Sequence, residues 1–171
     1  MQAVHEAVKQ EAETSMLAAV EEEVEATGSR DIAASGDGTW QKRGFKFRHG
    51  VVPVVGAKSG KAIDVDVLST VCQACALYNG PKEGEEYEEW MESHKEVCKI
   101  NHEGSSGMME VEGLKKIFGR SIARANYRIA KYIGDGDTKS YKCVCEDQPY
   151  GDELTPVKVN IFLIKLTKYV N

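Results

Sequence analysis

The apolar positions after residue 30 first follow the alternation that is typical of β-strands. Residues 32–35 (IAAS) and 50–55 (GVVPVV) are short apolar runs, and residues 62–68 (AIDVDVL) alternate apolar and acidic side chains. Such alternation is typical of a half-buried strand. The turn sequence KSGK at 58–61 lies between the second and third runs. We therefore predict three neighbouring antiparallel strands, with Asp64 and Asp66 on a solvated strand face.

A helical period replaces this alternation in two other parts of the chain. Residues 5–25 are rich in Ala and Glu, and their sparse apolar positions predict a solvated acidic helix within a lead-in segment, residues 1–30. Residues 105–125 carry an apolar stripe at helical spacing, with Ser105 as a suitable N-cap and Asn126 as a left-handed stop. A strand at 128–133 and a helix at 138–146 should follow, which gives the order β-β-β-insertion-α-β-α.

A polar stretch between the third strand and the long helix carries the clearest metal-binding pattern. Cys72 and Cys75 form a C-x2-C pair, and His94 and Cys98 follow at H-x3-C spacing. Two thiols on a knuckle followed by His and Cys one helical turn apart suit a tetrahedral Zn²⁺ site. His102 shares a helix face with His94 and Cys98, so it competes for the fourth position. We expect a structural zinc in an insertion spanning about residues 70–104, because this stretch has too few apolar residues for a core.

Two Asp–Gly corners follow predicted strands and are candidates for a second metal site. The first is GDG at 36–38, and the second is GDGD at 134–137. Carboxylates at the ends of the first and fourth strands, in a β-β-β-α-β order, match the arrangement of an RNase H-like sheet. Hard carboxylate oxygens there would bind Mg²⁺. Asp37 is the first candidate ligand, and either Asp135 or Asp137 is the second.

Charge is distributed unevenly, although the formal net charge is only −5. Residues 40–61 and 114–133 contain basic residues and no acidic ones. Such tracts can contact a nucleic-acid backbone without reading bases. We expect weak, non-specific and salt-sensitive DNA binding through these side chains: Lys42, Arg43, Lys116, Arg120, Arg124 and Arg128.

Composition is that of an ordinary folded protein and excludes some other classes. The chain has 171 residues, enough for one sizeable domain. The longest apolar run, residues 161–164, is too short to cross a bilayer, and acidic residues interrupt any secretory pattern near the N-terminus. The five cysteines are clustered and odd in number, which favours metal ligands over a disulfide framework. We expect no membrane and no small-molecule partner, and the oligomeric state is open.

A series of ordered motifs resembles the Mutator-like transposase domain of invertebrate transposon proteins over roughly residues 30–151. The motifs are DGTWQKRG (37–44), SGKAIDVDVLS (59–69), CQAC (72–75), EYEEW with the following His and Cys (86–98), EGSSGMMEVEG (103–113), IFGRS (117–121), YIGDGDTKSY (132–141) and PYG (149–151).

The resemblance implies an RNase H-like fold, a DDE-type site that cuts and joins DNA with Mg²⁺ or Mn²⁺, and a nuclear location. It matches Asp37 to the first catalytic acid and the GDGD corner to the second, with Asp135 ahead of Asp137.

The chain departs from the family pattern after PYG. Residues 157–160 could begin a fifth strand, whereas residues 161–171 form a divergent tail without the family's Cys–His pair or a third acid. From this we expect a partial RNase H-like domain, residues 31–160, that is catalytically inactive. The alternative from another class is a zinc-stabilised module that binds DNA or protein without catalysis.

Overall fold

The structure, a computed structural model, describes residues 2–43, 46–134 and 139–160, apart from the side chains at positions 2, 42, 43, 46, 47 and 160. Two short 3-10 turns, Lys95–Val97 and Gly151–Glu153, accompany the main elements. The helices and strands of these ranges follow one another as α1 (Gln2–Thr27), β1 (Asp31–Gly36), β2 (Thr39–Arg43), β3 (Lys46–Gly56), β4 (Ala62–Ser69), α2 (Gln73–Leu77), α3 (Glu85–His94), α4 (Ser106–Ala125), β5 (Arg128–Gly134), α5 (Lys139–Glu146) and β6 (Val157–Asn160).

The strands form one mixed sheet of six strands in the described ranges. β3 pairs with β4 on one side and with β1 and β2 on the other, and all three pairings are antiparallel. β5 pairs parallel with β1, and β6 pairs parallel with β5. The predicted mixed α/β class, and the neighbouring positions of the first strand and the strand at 128–133, are confirmed.

The core lies between this sheet and the helices α1, α4 and α5. Ile32, Val52 and Leu68 from the sheet are buried with Leu114 and Phe118 from α4. α4 begins after Ser105 and ends at Asn126, which adopts the left-handed conformation with φ 50° and ψ 48°. Both ends agree with the sequence prediction. Gly113 of α4 packs closely on the sheet, because a Cβ at that position would lie 2.7 Å from Val52.

The first helix is less solvated than its sparse apolar pattern predicts. Ala19 and Val20 are buried in the core, and Glu23 is fully buried as well. The Glu23 carboxylate accepts the backbone N–H groups of Lys58 and Ser59 at 3.0 and 2.7 Å. It therefore fixes the turn between β3 and β4. Periodicity could not predict this contact, because an acid joins the buried face through backbone hydrogen bonds and not through apolar area.

Asp64 is the clearest correction to the predicted strand faces. It was expected on a solvated face, yet its side chain is only 2% exposed and pairs with Arg120 and Arg124 of α4. Asp66 is 14% exposed and pairs with Arg120 as well. The acidic side of β4 thus faces the helix layer, where arginines neutralise it. No helix within the described ranges has the length and apolar character needed to cross a bilayer.

The Glu23 contact generates a stability prediction. Glu23→Ala should lower the free energy of unfolding by about 2–4 kcal/mol, because a fully buried carboxylate and its bonds to two backbone N–H groups of the turn are lost. Glu22→Ala is the matched control, since Glu22 forms only an exposed ion pair with Lys61. That variant should cost less than about 1 kcal/mol. Urea denaturation of both variants measures the difference, and equal losses would contradict the anchoring role of Glu23.

Candidate metal centre and carboxylate edge

The segment after β4 brings the four predicted zinc ligands together. Cys72 immediately precedes α2, and Cys75 lies within that helix. His94 is the last residue of α3, and Cys98 follows the 3-10 turn. One ligand atom from each residue lies within 4.8 Å of the others. Two short helices joined by a polar stretch therefore present a three-cysteine, one-histidine cluster that could hold a metal ion.

The spacing within this cluster fits a tetrahedral site. The Cys75 and Cys98 sulfurs are 3.7 Å apart, and the Cys72 sulfur lies 3.3 Å from Nε2 of His94. A Zn–S bond of about 2.3 Å in tetrahedral geometry places neighbouring sulfurs about 3.8 Å apart. The cysteines are free thiols with no disulfide among them in the described ranges. The donor set and its dimensions both suit Zn²⁺.

The thiol pKa values show why a cation fits between these groups. The backbone N–H groups of Lys99 and Cys75 lower the pKa of the Cys72 thiol to about 6. Desolvation, with the sulfurs of Cys98 and Cys72 nearby, raises the pKa of the Cys75 thiol to about 11. One thiolate is therefore favoured, while a second is opposed by the first. A bound divalent cation would remove that opposition, because it stabilises all the thiolates at once.

Aromatic packing holds the histidine of the cluster. The Trp90 ring stacks on His94 at a centroid distance of 4.8 Å, and Tyr78 packs on Trp90 at 4.4 Å. Tyr87 completes this group. These rings form a small packing unit beside the ligand cluster, in a segment whose two helices contribute no residue to the main apolar core. The insertion thus depends on aromatic stacking and on its ligand residues.

His102, the competing fourth ligand, lies apart from the cluster. Its Nδ1 contacts the Glu112 carboxylate, and its Nε2 lies 3.3 Å from the Ser105 carbonyl. The side chain is buried at the start of α4. Both ring nitrogens therefore have partners, and Cys98 takes the fourth position in the described cluster.

The first Asp–Gly corner lies between the end of β1 at Gly36 and the start of β2 at Thr39. Gly36 pairs with Val54, and Thr39 pairs with Val51, three residues further along each strand. β1 and β2 therefore lie end to end opposite β3, with a gap at Asp37–Gly38. The Trp40 ring packs on Gly38, since a Cβ at that position would lie 2.3 Å from the ring. The prediction that the first strand ends at this corner is confirmed, because β1 ends at Gly36, and Asp37 is exposed in the gap before β2.

A cavity of about 190 Å³ opens beside Asp37. Gly36 and Asp37 line it from the first strand, Pro53 from β3, Gly134 from β5 and Glu110 from α4. Ser35 pairs with Ile133, so β1 and β5 end side by side at this cavity. Asp135 and Asp137 lie outside the described residues.

Glu110 is the carboxylate that the sequence prediction missed at this edge. It was noted only as an acid in the early turns of α4. Its Oε1 accepts a hydrogen bond from Ser140 of α5 at 2.9 Å, and its side chain lines the same cavity as Asp37. No motif signals this position, because only the packing of α4 on the sheet brings the two carboxylates to one cavity.

The predicted DNA-binding arginines are paired with carboxylates of the protein. Arg120 donates to Asp64 at 2.8 and 3.0 Å and to Asp66 at 3.0 Å, and these bonds raise its pKa. Arg124 donates to Glu13 of α1 at 2.8 Å. Phosphate contact by either arginine would compete with these internal pairs.

Of the remaining residues predicted to contact DNA, two form ion pairs within the protein and two have side chains outside the described part. Arg128 pairs with Asp31 and Glu153, and Lys116 pairs with Glu112. Lys42 and Arg43 lie on β2, with side chains outside the described part. DNA contact by any of the six stays a prediction.

Comparison with known protein families gives a match that covers most of the chain. The model of the family described as Mutator-like transposase matches residues 1–160. The chain belongs to the Mutator-like transposase family. Comparison with the curated proteins finds no significant match, and neither does comparison with the solved structures.

The family match extends the resemblance that the motifs indicate. It includes α1, which the motifs did not cover, together with the cysteine–histidine cluster and the Asp37 cavity. The buried position of Glu23 gives a physical reason why α1 belongs with the Mutator-like domain, since this helix fixes a turn of the sheet. The boundary between residues 1–30 and the remainder stays a prediction.

The cluster geometry predicts one Zn²⁺ per chain, bound by three sulfurs and one nitrogen. Cys75→Ser should reduce zinc content strongly and destabilise the insertion, because three ligands hold Zn²⁺ less tightly than four. Elemental analysis of protein purified under reducing conditions gives the stoichiometry, and X-ray absorption at the zinc edge gives the donor set.

Two control variants separate the cluster from other residues of the same types. Cys143→Ser removes a thiol of α5 outside the cluster, and His102→Asn removes the histidine bonded to Glu112. Both should retain zinc, whereas His94→Asn should lose it. A wild-type zinc content near zero, or zinc lost with His102 and kept without His94, would contradict the assignment.

Proposed function

We propose that this chain is a DNA-handling domain with RNase H-like architecture, built for metal-dependent DNA cleavage and strand transfer. Membership of the Mutator-like transposase family supports the substrate and the reaction class. The sheet order supports the architecture. β1 is central, with β3 antiparallel to it on one side and β4 antiparallel to β3, while β5 and β6 lie parallel to β1 on the other side.

One observation carries this proposal: the parallel register of β1 and β5. Ser35 is level with Ile133, so the residues that leave both strands start from one edge of the sheet. Parallel neighbours that end together bring their following side chains close to each other. Asp37 and the GDGD corner are therefore proposed to share one cation, with Asp135 as the first choice from that corner and Asp137 as the alternative.

Glu110 is proposed as a further carboxylate for the same cation. It lines the cavity with Asp37, and a hydrogen bond from Ser140 orients its carboxylate. Carboxylate oxygens suit Mg²⁺ or Mn²⁺, which keep several waters when few protein ligands are present. Such a cation supplies charge stabilisation at a phosphate and a more acidic bound water.

The zinc is proposed to be structural. Four protein ligands complete a tetrahedron and leave no open position for a substrate. Its role is to fix α2 and α3 on the end of β4, where the segment has little apolar area of its own. A nuclear location follows only from the proposed DNA substrate.

A second candidate function is a zinc-stabilised DNA- or protein-binding module without catalysis. The complete ligand set of the zinc cluster favours it, because that centre needs no residue outside the described ranges. The expectation that residues 1–171 do not cleave DNA stays a prediction. Nicking of supercoiled plasmid with Mn²⁺ distinguishes the two candidates: nicking lost in Asp37→Asn supports the enzyme, and no nicking by the wild type supports the module.

The proposed cation site predicts Mn²⁺ binding that depends on Asp37. In a titration followed by electron paramagnetic resonance, zinc-loaded wild type should bind one additional Mn²⁺. Asp37→Asn should weaken that binding about tenfold or more, because one charged ligand is lost while the size of the side chain is kept.

The matched control is Asp152→Asn, since Asp152 is exposed on the 3-10 turn at Gly151–Glu153. It should bind Mn²⁺ as the wild type does. Equal Mn²⁺ affinity in the wild type and in Asp37→Asn would sink the shared cation site and leave the binding module as the better account.

A further inference from the structure

A second open cavity lies beside the zinc cluster, and its lining is basic. It measures about 710 Å³ and lies between the ends of β3 and β4, helix α2 and the segment after Cys98. Arg48 and Lys99 supply its charges, His49 lies beside Arg48, and Val71 and Ile100 supply apolar surface. No carboxylate contributes to this lining, which also includes Cys72 and Cys75 of the cluster. We call this surface the Arg48–Lys99 groove.

The two cations of the groove differ from the arginines of α4 in their surroundings. Arg120 and Arg124 are paired with internal carboxylates. Within the described ranges, neither Arg48 nor Lys99 forms an ion pair. A ligand phosphate can therefore contact these two without displacing a described carboxylate.

The walls of the groove are fixed by the fold. The Arg48 carbonyl accepts the backbone N–H of Thr70 at 3.0 Å, which ties the start of β3 to the residue after β4. Asn101 accepts the Ser69 N–H at 2.7 Å and donates to the Val67 carbonyl at 2.9 Å. Lys99 thus lies between the ligand Cys98 and the anchored Asn101. This limits the backbone freedom that binding would otherwise have to remove.

The charge balance remains positive when the neighbouring cluster holds its metal. Three thiolates and a neutral imidazole around Zn²⁺ carry a formal charge of about −1. Arg48 and Lys99 together carry about +2. The groove is therefore cationic in the zinc-loaded protein, and its open shape with two apolar patches suits an extended polyanion with a hydrophobic sugar edge.

We propose that the Arg48–Lys99 groove binds the phosphodiester backbone of DNA, on the flank of the phosphate that would lie at Asp37. This inference rests on the proposed function and names its DNA-holding subsite. β3 connects the two places, since Arg48 lies five residues before Pro53, which lines the Asp37 cavity. At about 3.4 Å per residue this is roughly 17 Å. Such a span corresponds to about five base-pair steps of duplex.

The test measures the salt dependence of binding to a fluorescein-labelled DNA duplex of about 20 base pairs, using the zinc-loaded full chain. Each phosphate contact adds about 0.9 to the slope of log K against log salt. Arg48→Gln with Lys99→Gln should therefore make the slope shallower by about 1.8 and weaken binding at low salt. Arg48→Lys with Lys99→Arg keeps both charges and should retain the wild-type slope.

Lys9→Gln with Lys142→Gln is the matched control, because it removes two charges from exposed lysines of α1 and α5. Its slope should equal that of the wild type, and zinc content should be equal in all four proteins. If the wild type binds duplex and the two glutamine double variants, at Arg48 and Lys99 and at Lys9 and Lys142, both keep the wild-type slope, the groove proposal is overturned while the proposed function stands.

The other outcomes also decide the question. If the salt slope becomes shallower by the same amount in both glutamine double variants, only net charge matters, and the groove proposal is overturned. If the wild type does not bind duplex at about 50 mM salt, both the groove and the DNA-handling function fail. If polyglutamate binding depends on Arg48 and Lys99 and duplex binding does not, the groove takes an acidic protein partner instead of DNA.

Discussion

The parallel pairing of β1 with β5 is the contact on which the geometry of the carboxylate edge depends. It joins residues almost a hundred positions apart and brings Asp31 level with Arg128 and Ser35 level with Ile133. Asp31 and Arg128 also form an ion pair with a 2.6 Å contact at the opposite end, before a one-residue register shift between Ile32 and Ala33. A further slip of one residue after that shift would turn the side chains of residues 33–36 to the other face of the sheet and separate Asp37 from the end of β5. The bond from Tyr132 to the Gly36 carbonyl, at 3.0 Å, supports the same alignment close to the cavity.

Two kinds of stabilisation operate in different parts of the chain. The sheet and α1, α4 and α5 bury a continuous apolar core, to which Glu23 and Asp64 add charged contacts. The segment between β4 and α4 contributes little to that core and brings together a ligand set that a zinc ion would complete. The two parts meet where Asn101 bonds to the end of β4, and the Arg48–Lys99 groove lies at this junction. A chelator should therefore disturb the groove before it disturbs the sheet.

Local patterns were sufficient to predict the elements and the ligand cluster, and insufficient for contacts between distant residues. Ser105 and Asn126 lie at the two ends of α4 as predicted, and Asn126 adopts the left-handed conformation that ends the helix, whereas the Ser105 side chain forms no capping hydrogen bond. The Cys72–Cys98 spacing likewise indicates one site because its ligands lie close in sequence. Asp64 was misplaced, because alternation distinguishes two faces of a strand but cannot show which face a helix covers. Glu110 was missed for a related reason: its cavity is formed only when α4 packs on the sheet.

The most direct test of the account is paramagnetic broadening by Mn²⁺ in the ¹⁵N-resolved spectrum of the zinc-loaded protein. If one cation lies at the shared end of β1 and β5, the amide signals of Ser35, Gly36, Ile133 and Gly134 should lose intensity together at substoichiometric Mn²⁺. The signal of Asp152 should remain, and Asp37→Asn should abolish the selective loss. Broadening confined to one of the two strands, or spread over exposed acids throughout the chain, would contradict a cation site at this edge.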